Sequence, residues 1–261
     1  SDGDLPKGNL FIIGGGNRSP ELVKKMIETA QLSKKDHIAI LPMSGSEPDT
    51  SYQYIKEDLQ PACSNIIANL NFTAANANDK IWLDSLKKAK LIFITGGDQS
   101  RFMKIVWNTP IFKAIHEAYK NGATIAGTSA GAAVMSRYMI TGNQLLDTVY
   151  ESTFNKLWDN NIEFAEGMGL MTTAIVDQHF VARSRYNRII SAIAKHPELP
   201  CIGIDEGTAI IVHHNKITVS GESQVLLFSH PKNIKTTKTN LITLQDLHIS
   251  IYADGDSFEL R

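Results

Sequence analysis

Five short apolar runs in this chain each stop abruptly at a polar, turn-forming word. NLFII (9–13) gives way to GGGNRSP, LIFIT (91–95) to GGDQ, ATIA (123–126) to GTSAG, TAIV (173–176) to DQH and CIGI (201–204) to DEG. The runs are apolar throughout rather than at alternate positions, the pattern of strands covered on both faces. HIAIL (37–41) and IIANL (66–70) add two more. Helical spacing separates them: Val23, Met26, Ile27 and Ala30 repeat at i, i+3, i+4, i+7, and DKIWLDSLKKAK (79–90) and IFKAIHEAYK (111–120) are helix-like. Such alternation specifies an α/β fold built on a doubly wound, mostly parallel sheet. The carboxyl ends of parallel strands open on one edge, where ligands bind. The five polar words are therefore expected to meet at a single site.

Beyond about residue 207 the texture changes. TAIIVHHNKITVSG and ESQVLLFSH have strand–turn–strand patterns, and ITLQDLHISIYADGDSF continues the β-like alternation. No Pro-, Gly- or Ser-rich linker precedes this stretch, so residues 207–261 are expected to be an antiparallel β extension of one domain spanning 1–261. That length suits a single large α/β domain. With 26 basic and 27 acidic residues the formal net charge is −1, without the basic excess of a nucleic-acid binder. Cys63 and Cys201 lie far apart and outside any metal-ligand spacing, so neither a disulfide framework nor a zinc site is expected. No apolar run approaches the roughly 18 residues of a membrane span. The start, SDGDLPKGNL, lacks the regions of a signal peptide, yet it begins with Ser. A removed leader would fit, and localisation stays open between cytoplasmic and exported.

Gly127-Thr128-Ser129-Ala130-Gly131 satisfies G-x-S-x-G, in which a serine is presented on a cramped strand-to-helix turn. The amide of Ala130 would then point to where an oxyanion forms. A packing turn of small residues accounts for the same glycines. A nucleophilic serine needs a base, and the base an orienting acid. Of eight histidines only His179 follows a buried-type strand. His213 and His214 fall in a hairpin, and His37, His116, His196, His230 and His248 are expected to be solvated. Glu206, just past CIGI, can hold the imidazole; Asp205 and Asp177 are rival carboxylates. The order Ser, His, Glu differs from the Ser, Asp/Glu, His order of α/β-hydrolases. In GGDQ (96–99), the amides of Gly97 or Asp98 are candidates for a second oxyanion donor, against the alternative of a plain tight turn.

FVARSRYNRIISAIAKHPE carries an apolar stripe at Tyr186, Ile189, Ile190 and Ile193, so a helix is predicted there, with Arg183, Arg185 and Arg188 at its start. Arginine is unfavourable to the dipole at a helix N-terminus, and guanidinium groups grip carboxylates in bidentate fashion. The cluster therefore points to an acidic substrate, with a solvated basic face as the alternative. GGGNRSP is a poor dinucleotide fingerprint. Ser19 takes the third glycine position, and no acidic residue ends the second strand.

GTSAGAAVMS, FITGGDQ, IVDQHF-x₂-R-x-R-x₂-R and GIDE, in that order, resemble the cyanophycinases, of the peptidase family that also includes aspartyl dipeptidase. The resemblance runs from FIIGGG to the closing DGDSFEL. It implies a sheet like that of class I glutamine amidotransferases and a homodimer. It also implies a metal-independent, cofactor-free serine peptidase with Ser129, His179 and Glu206 as its catalytic set. The family's substrate-pocket residues fall on Gln99, Asp177, Gln178, Arg183, Arg185 and Arg188. The implied reaction is release of β-Asp-Arg dipeptides from an Asp/Arg polymer; an acidic-peptide hydrolase such as aspartyl dipeptidase is the nearer alternative. A non-catalytic protein holding anionic ligands is the more distant one. MITGNQLLD (139–147) and PMSGSEP (42–48) depart from the family pattern and are expected to line the substrate channel.

Overall fold

The computed structural model describes residues 2–149, 151 and 156–260. The chain runs through β1 (Asn9–Ile13), α1 (Pro20–Ala30), β2 (His37–Leu41), α2 (Pro48–Leu59), β3 (Ile66–Asn69), α3 (Lys80–Lys88), β4 (Leu91–Ile94), α4 (Gln99–Val106), α5 (Pro110–Asn121) and β5 (Thr124–Thr128). A four-residue helix α6 (Ala130–Ala133) and the hairpin strands β6 (Tyr138–Gln144) and β7 (Ile162–Glu166) follow. Then come β8 (Ile175–Asp177), α7 (Tyr186–Lys195), β9 (Cys201–Ile204), β10 (Thr208–His213), β11 (Lys216–Gly221) and β12 (Gln224–Ser229). The described chain closes with β13 (Lys232–Thr236), β14 (Ile242–Gln245), β15 (His248–Ala253) and β16 (Ser257–Glu259).

The larger sheet has the order β16-β11-β10-β1-β5-β4-β2-β3. Its five strands from β1 to β3 are parallel, and β10, β11 and β16 add an antiparallel flank. Side chains alternate between two buried layers, as strand geometry requires. Phe11, Ile13, Ile38, Ile40 and Phe93 pack under α1 and α2, whereas Leu10, Ile12, Ala39, Leu41, Ile92 and Ile94 face α3, α4 and α5. Helices α1, α3, α4 and α5 start where side chains cap them. The Ser19 hydroxyl accepts from Leu22 N ahead of Pro20, Asp79 caps α3, Asp98 caps α4 and Thr109 caps α5.

The fold class is the doubly wound α/β architecture expected from the strand–helix alternation, with one refinement. TAIV and CIGI do not join the larger sheet. As β8 and β9 they pair in parallel within a second sheet, β15-β12-β9-β8, under α7. An apolar run records that a strand is buried on both faces, not which sheet buries it. The two sheets still meet where function was expected. His179 N donates to Gly14 O at 2.7 Å and Gly207 N to Gly15 O at 2.9 Å, so the ends of β8 and β9 dock on the turn that follows β1.

Candidate active site

The turn after β5 is as tight as its glycines suggest. A Cβ on Gly127 would lie 2.3 Å from Gly131 O, and one on Gly131 would lie 2.1 Å from Ile94 O. Ser129 between them has φ 55° and ψ −110°, a conformation that costs a non-glycine residue on the order of 1–3 kcal/mol and clusters at functional sites. Its amide donates to Ile13 O at 3.2 Å, and its carbonyl accepts from Ala132 N and Ala133 N, starting α6. The hydroxyl is thereby left free to face the strand edge. There it meets His179 Nε2 at 2.8 Å.

His179 also has a positive φ, 49°. Its ring lies over the β1–α1 turn: a Cβ on Gly15 would fall 2.2 Å from Cε1, and one on Gly16 would fall 2.8 Å from Glu206 Cβ. GGGNRSP is therefore the floor beneath the histidine and the acid. This role was not read from the sequence, although three consecutive glycines after a strand signal that something must approach closely. Behind the histidine, Gly203 of β9 leaves room for Phe180, whose ring would sit 2.4 Å from an added Cβ.

The rival carboxylates separate cleanly. Asp205 accepts from Ala182 N at 2.9 Å and from the Ser223 hydroxyl, so it ties the loop after β8 to that before β12. Asp177 is 1% exposed and engaged by Arg188 through both oxygens. Glu206 alone faces the histidine, with Oε2 3.4 Å from Nδ1 and its side chain 39% exposed. That is an ion-pair contact without hydrogen-bond geometry, and Nδ1 has no other partner among the described residues. Burial lowers the His179 pKa below its ordinary value; Arg183 and Arg185 push the same way, and Glu206 raises it. The other histidines are elsewhere. His37 Nε2 lies 2.7 Å from Ser85 O and His116 Nε2 2.6 Å from Met168 O, so these two are partnered rather than merely solvated.

The amide of Ala130, at the first position of α6, has no acceptor within the chain among the described residues. In the GGDQ turn it is Gly96 that touches the serine, since a Cβ there would lie 3.4 Å from Ser129 Cβ. Gly97 (φ 134°) packs its Cα on Ser44 O, and Asp98 N donates to that carbonyl at 2.8 Å, so the PMSG segment buttresses the turn.

The three arginines divide. Arg188 Nε donates to Asp177 Oδ2 at 2.9 Å, and Arg185 Nη1 to Gln178 O at 2.8 Å and Gln178 Oε1 at 2.7 Å. Arg185 Nη1 also lies 3.9 Å from Asp177 Oδ1. Gln99 Nε2 donates to Ile140 O and Thr141 O, both at 3.0 Å, which ties the start of α4 to β6. Arg183 is exposed and makes no side-chain hydrogen bond or ion pair among the described residues. Among them, no three His, Cys, Asp or Glu side chains gather as metal ligands, and none of the helices is long and apolar enough to cross a membrane.

A serine–histidine pair on a strand-edge elbow recurs on unrelated folds, and comparison with known proteins decides among them. The family model for Peptidase family S51 matches residues 10–220. The chain belongs to peptidase family S51. It is a hydrolase of the serine-peptidase type. A curated cyanophycinase from Trichormus variabilis is 31% identical over 96% of this chain and 85% of its own length. A Peptidase E from Pasteurella multocida is 25% identical over 78% of this chain and 83% of its own. Among solved structures, a peptidase from an acI-B1 Actinobacterium superposes with a TM-score of 0.68 at 22% identity, covering 98% of both chains. At that identity the likeness speaks for the fold. The S51 chain thus places Ser129, His179 and Glu206, in that order along the sequence, on three loops that meet at one end of β1.

Proposed function

We propose that Ser129, His179 and Glu206 are the catalytic residues of a cyanophycinase-type peptidase that cleaves an Asp/Arg polymer to β-Asp-Arg dipeptides. The observation that carries the reading is the 2.8 Å contact between Ser129 Oγ and His179 Nε2 on a strained elbow. The serine oxygen attacks the peptide carbonyl carbon while its proton passes to Nε2. The resulting oxyanion is stabilised by the amides of Ala130 and the GGDQ turn, with Gly97 the donor on that side. Collapse breaks the C–N bond as the imidazolium gives its proton to the leaving amine. Water then releases the acyl group, with His179 again taking and returning the proton. Glu206 steadies the imidazolium. Neutral His179 is the working form, and its lowered pKa keeps that form dominant at neutral pH.

The cyanophycinase relatives support this substrate class, as does Arg183, a cation without an ion pair among the described residues whose charge acts on His179 and which suits a substrate carboxylate. Arg185, Arg188, Asp177 and Gln178 shape the same wall through their mutual bonds, and Gln99 through its bonds to Ile140 O and Thr141 O. The Peptidase E relative favours a second reading, hydrolysis of short aspartyl peptides. Incubation with purified cyanophycin and, separately, with Asp-X dipeptides, followed by mass spectrometry, distinguishes them. Dipeptides of β-Asp-Arg from the polymer support the first, and turnover of Asp-X peptides alone supports the second. Ser129→Ala should lower kcat by about four to six orders of magnitude with its melting temperature preserved. Wild-type-like turnover in that variant removes the mechanism.

A further inference from the structure

A second cavity lies at the far end of β1 from the serine. Leu10, Tyr119 and Lys120 of α5, the loop at 169–173 and the chain before β1 enclose about 750 Å³, within the range of roughly 300–1,000 Å³ for small-molecule sites. Leu10 is roughly 13 Å from Gly14, at about 3.3 Å per strand residue. None of Ser129, His179 and Glu206 lines the space. Its walls are fastened. Lys7 N donates to Lys120 O at 3.1 Å and Gly8 N to Tyr119 O at 3.0 Å, and His214 Nε2 lies 3.1 Å from Pro6 O.

Tyr119 signals a ligand. It is 7% exposed, and its hydroxyl makes no hydrogen bond among the described residues, yet that oxygen is not one of those sealed from solvent. Buried polar groups in native folds are almost always paired. Burial pushes its pKa up to about 12, so the group stays a donor. Charges of both signs surround it. Asp4 and Lys120 have no ion pair among the described residues, and Glu117 has only a 3.9 Å contact with Lys87. Leu10, Leu170, Met171 and Val212 supply apolar surface. Such a lining is complementary to a zwitterion with an aliphatic stretch, and a peptidase releases such molecules as short peptides.

The loop at 169–173 also supports both catalytic elements. Gly169 N donates to Ser136 O at 3.3 Å and Met171 N to Met135 O at 2.9 Å, just beyond the helix that starts after Ser129. Ser136 Oγ accepts from Val176 N of β8, the strand that leads to His179, at 3.0 Å. We propose that this cavity is an effector site for a zwitterionic dipeptide and that its occupancy lowers kcat. Tyr119 and Lys120 take a carboxylate, and Asp4 and Glu117 take the cationic groups. The Ser129–His179 contact is already at hydrogen-bond length, so moving either support works against it. The choice of β-Asp-Arg as the dipeptide rests on the proposed function.

The test follows cyanophycin hydrolysis by wild type, Tyr119→Phe and Lys120→Gln at increasing β-Asp-Arg. Competition at Ser129 raises KM alone. Occupancy of the distant cavity should also lower wild-type kcat, by about fivefold at saturation, the low end of couplings between separate sites. Both variants should keep the effect on KM and lose the effect on kcat. A kcat untouched by the dipeptide in wild type, or lowered equally in all three proteins, overturns the effector site. Calorimetric titration of Ser129→Ala with β-Asp-Arg reads the cavity without turnover. Adding Tyr119→Phe to that variant should weaken one of two binding events by about tenfold, the loss expected for a hydrogen bond to a charged group. Identical titrations of the two proteins overturn the site whatever the fate of the proposed function. Wild-type protein that releases no dipeptide from the polymer removes that function, and a tenfold loss in the titration would still support the cavity.

Discussion

His179 sits between opposing influences. Burial depresses its pKa from 6.5, Arg183 and Arg185 add to that, and the contact with Glu206 works in reverse. With the neutral imidazole as the proposed base, a lowered pKa shifts the acid limb of kcat/KM to lower pH. We expect that limb below pH 6.5 in the wild type. Glu206→Gln removes the group that raises the pKa, so its limb should move lower still, while kcat falls by about 10²-fold. That is less than the ~10⁴-fold of a buried, hydrogen-bonded acid, because this carboxylate is 39% exposed and 3.4 Å away. Arg183→Gln should move the limb the other way. A pH–rate series on the three proteins checks both signs, and an upward shift in Glu206→Gln would contradict the assignment. At this scale the serine and histidine were legible in the sequence, because a glycine-flanked serine and a post-strand histidine are locally distinctive. The acid was read as Glu206 with Asp205 and Asp177 as rivals, since three carboxylates near strand ends look alike until their partners are known. Asp205 ties two loops together and Asp177 answers an arginine.

The element with most influence on the pair is the β1–α1 turn. Gly15 has φ 99°, and its missing side chain is the space the imidazole occupies. Gly15→Ala should therefore displace the ring from Ser129. A shift of about 1 Å from attack geometry can cost 10²-fold, so kcat should drop by at least about that much, with a modest loss of stability. Activity within a few-fold of wild type would mean the ring tolerates displacement. The sequence marked this turn as unsuited to a dinucleotide but not as the floor of the site, because the approaching side chains, His179 and Glu206, come from loops far along the chain. The apolar runs forecast the parallel strands well, and α3 and α5 formed over nearly the predicted residues. The hairpin of β6 and β7 was missed: half-exposed strands with small and polar residues, such as TGN, carry little alternation.

Across the whole molecule, one sheet became two, yet the convergence of the five polar words survived. Convergence depends on where loops dock, and sheet membership was never encoded in an apolar run. The network of Asp177, Arg185 and Arg188 belongs to this scale, since it binds the end of β8 to the start of α7. All three side chains are at most 12% exposed. Asp177→Ala leaves two buried cations short of their counter-charge, a change of about 3–5 kcal/mol. At roughly 2–4 °C per kcal/mol for a chain of this size, the melting temperature should fall by about 6 °C or more in a thermal scan. A variant melting within about 2 °C of wild type would show that the network is not structural.

The amides of Ser129 and His179 hang on Ile13 O and Gly14 O, neighbouring carbonyls at the end of one strand. One backbone residue, Gly14, therefore acts as the gauge that spaces Ser129 and His179. Breathing between the two sheets carries both partners along together instead of pulling them apart. Anyone grafting this pair onto another scaffold would have to carry those two carbonyls with it.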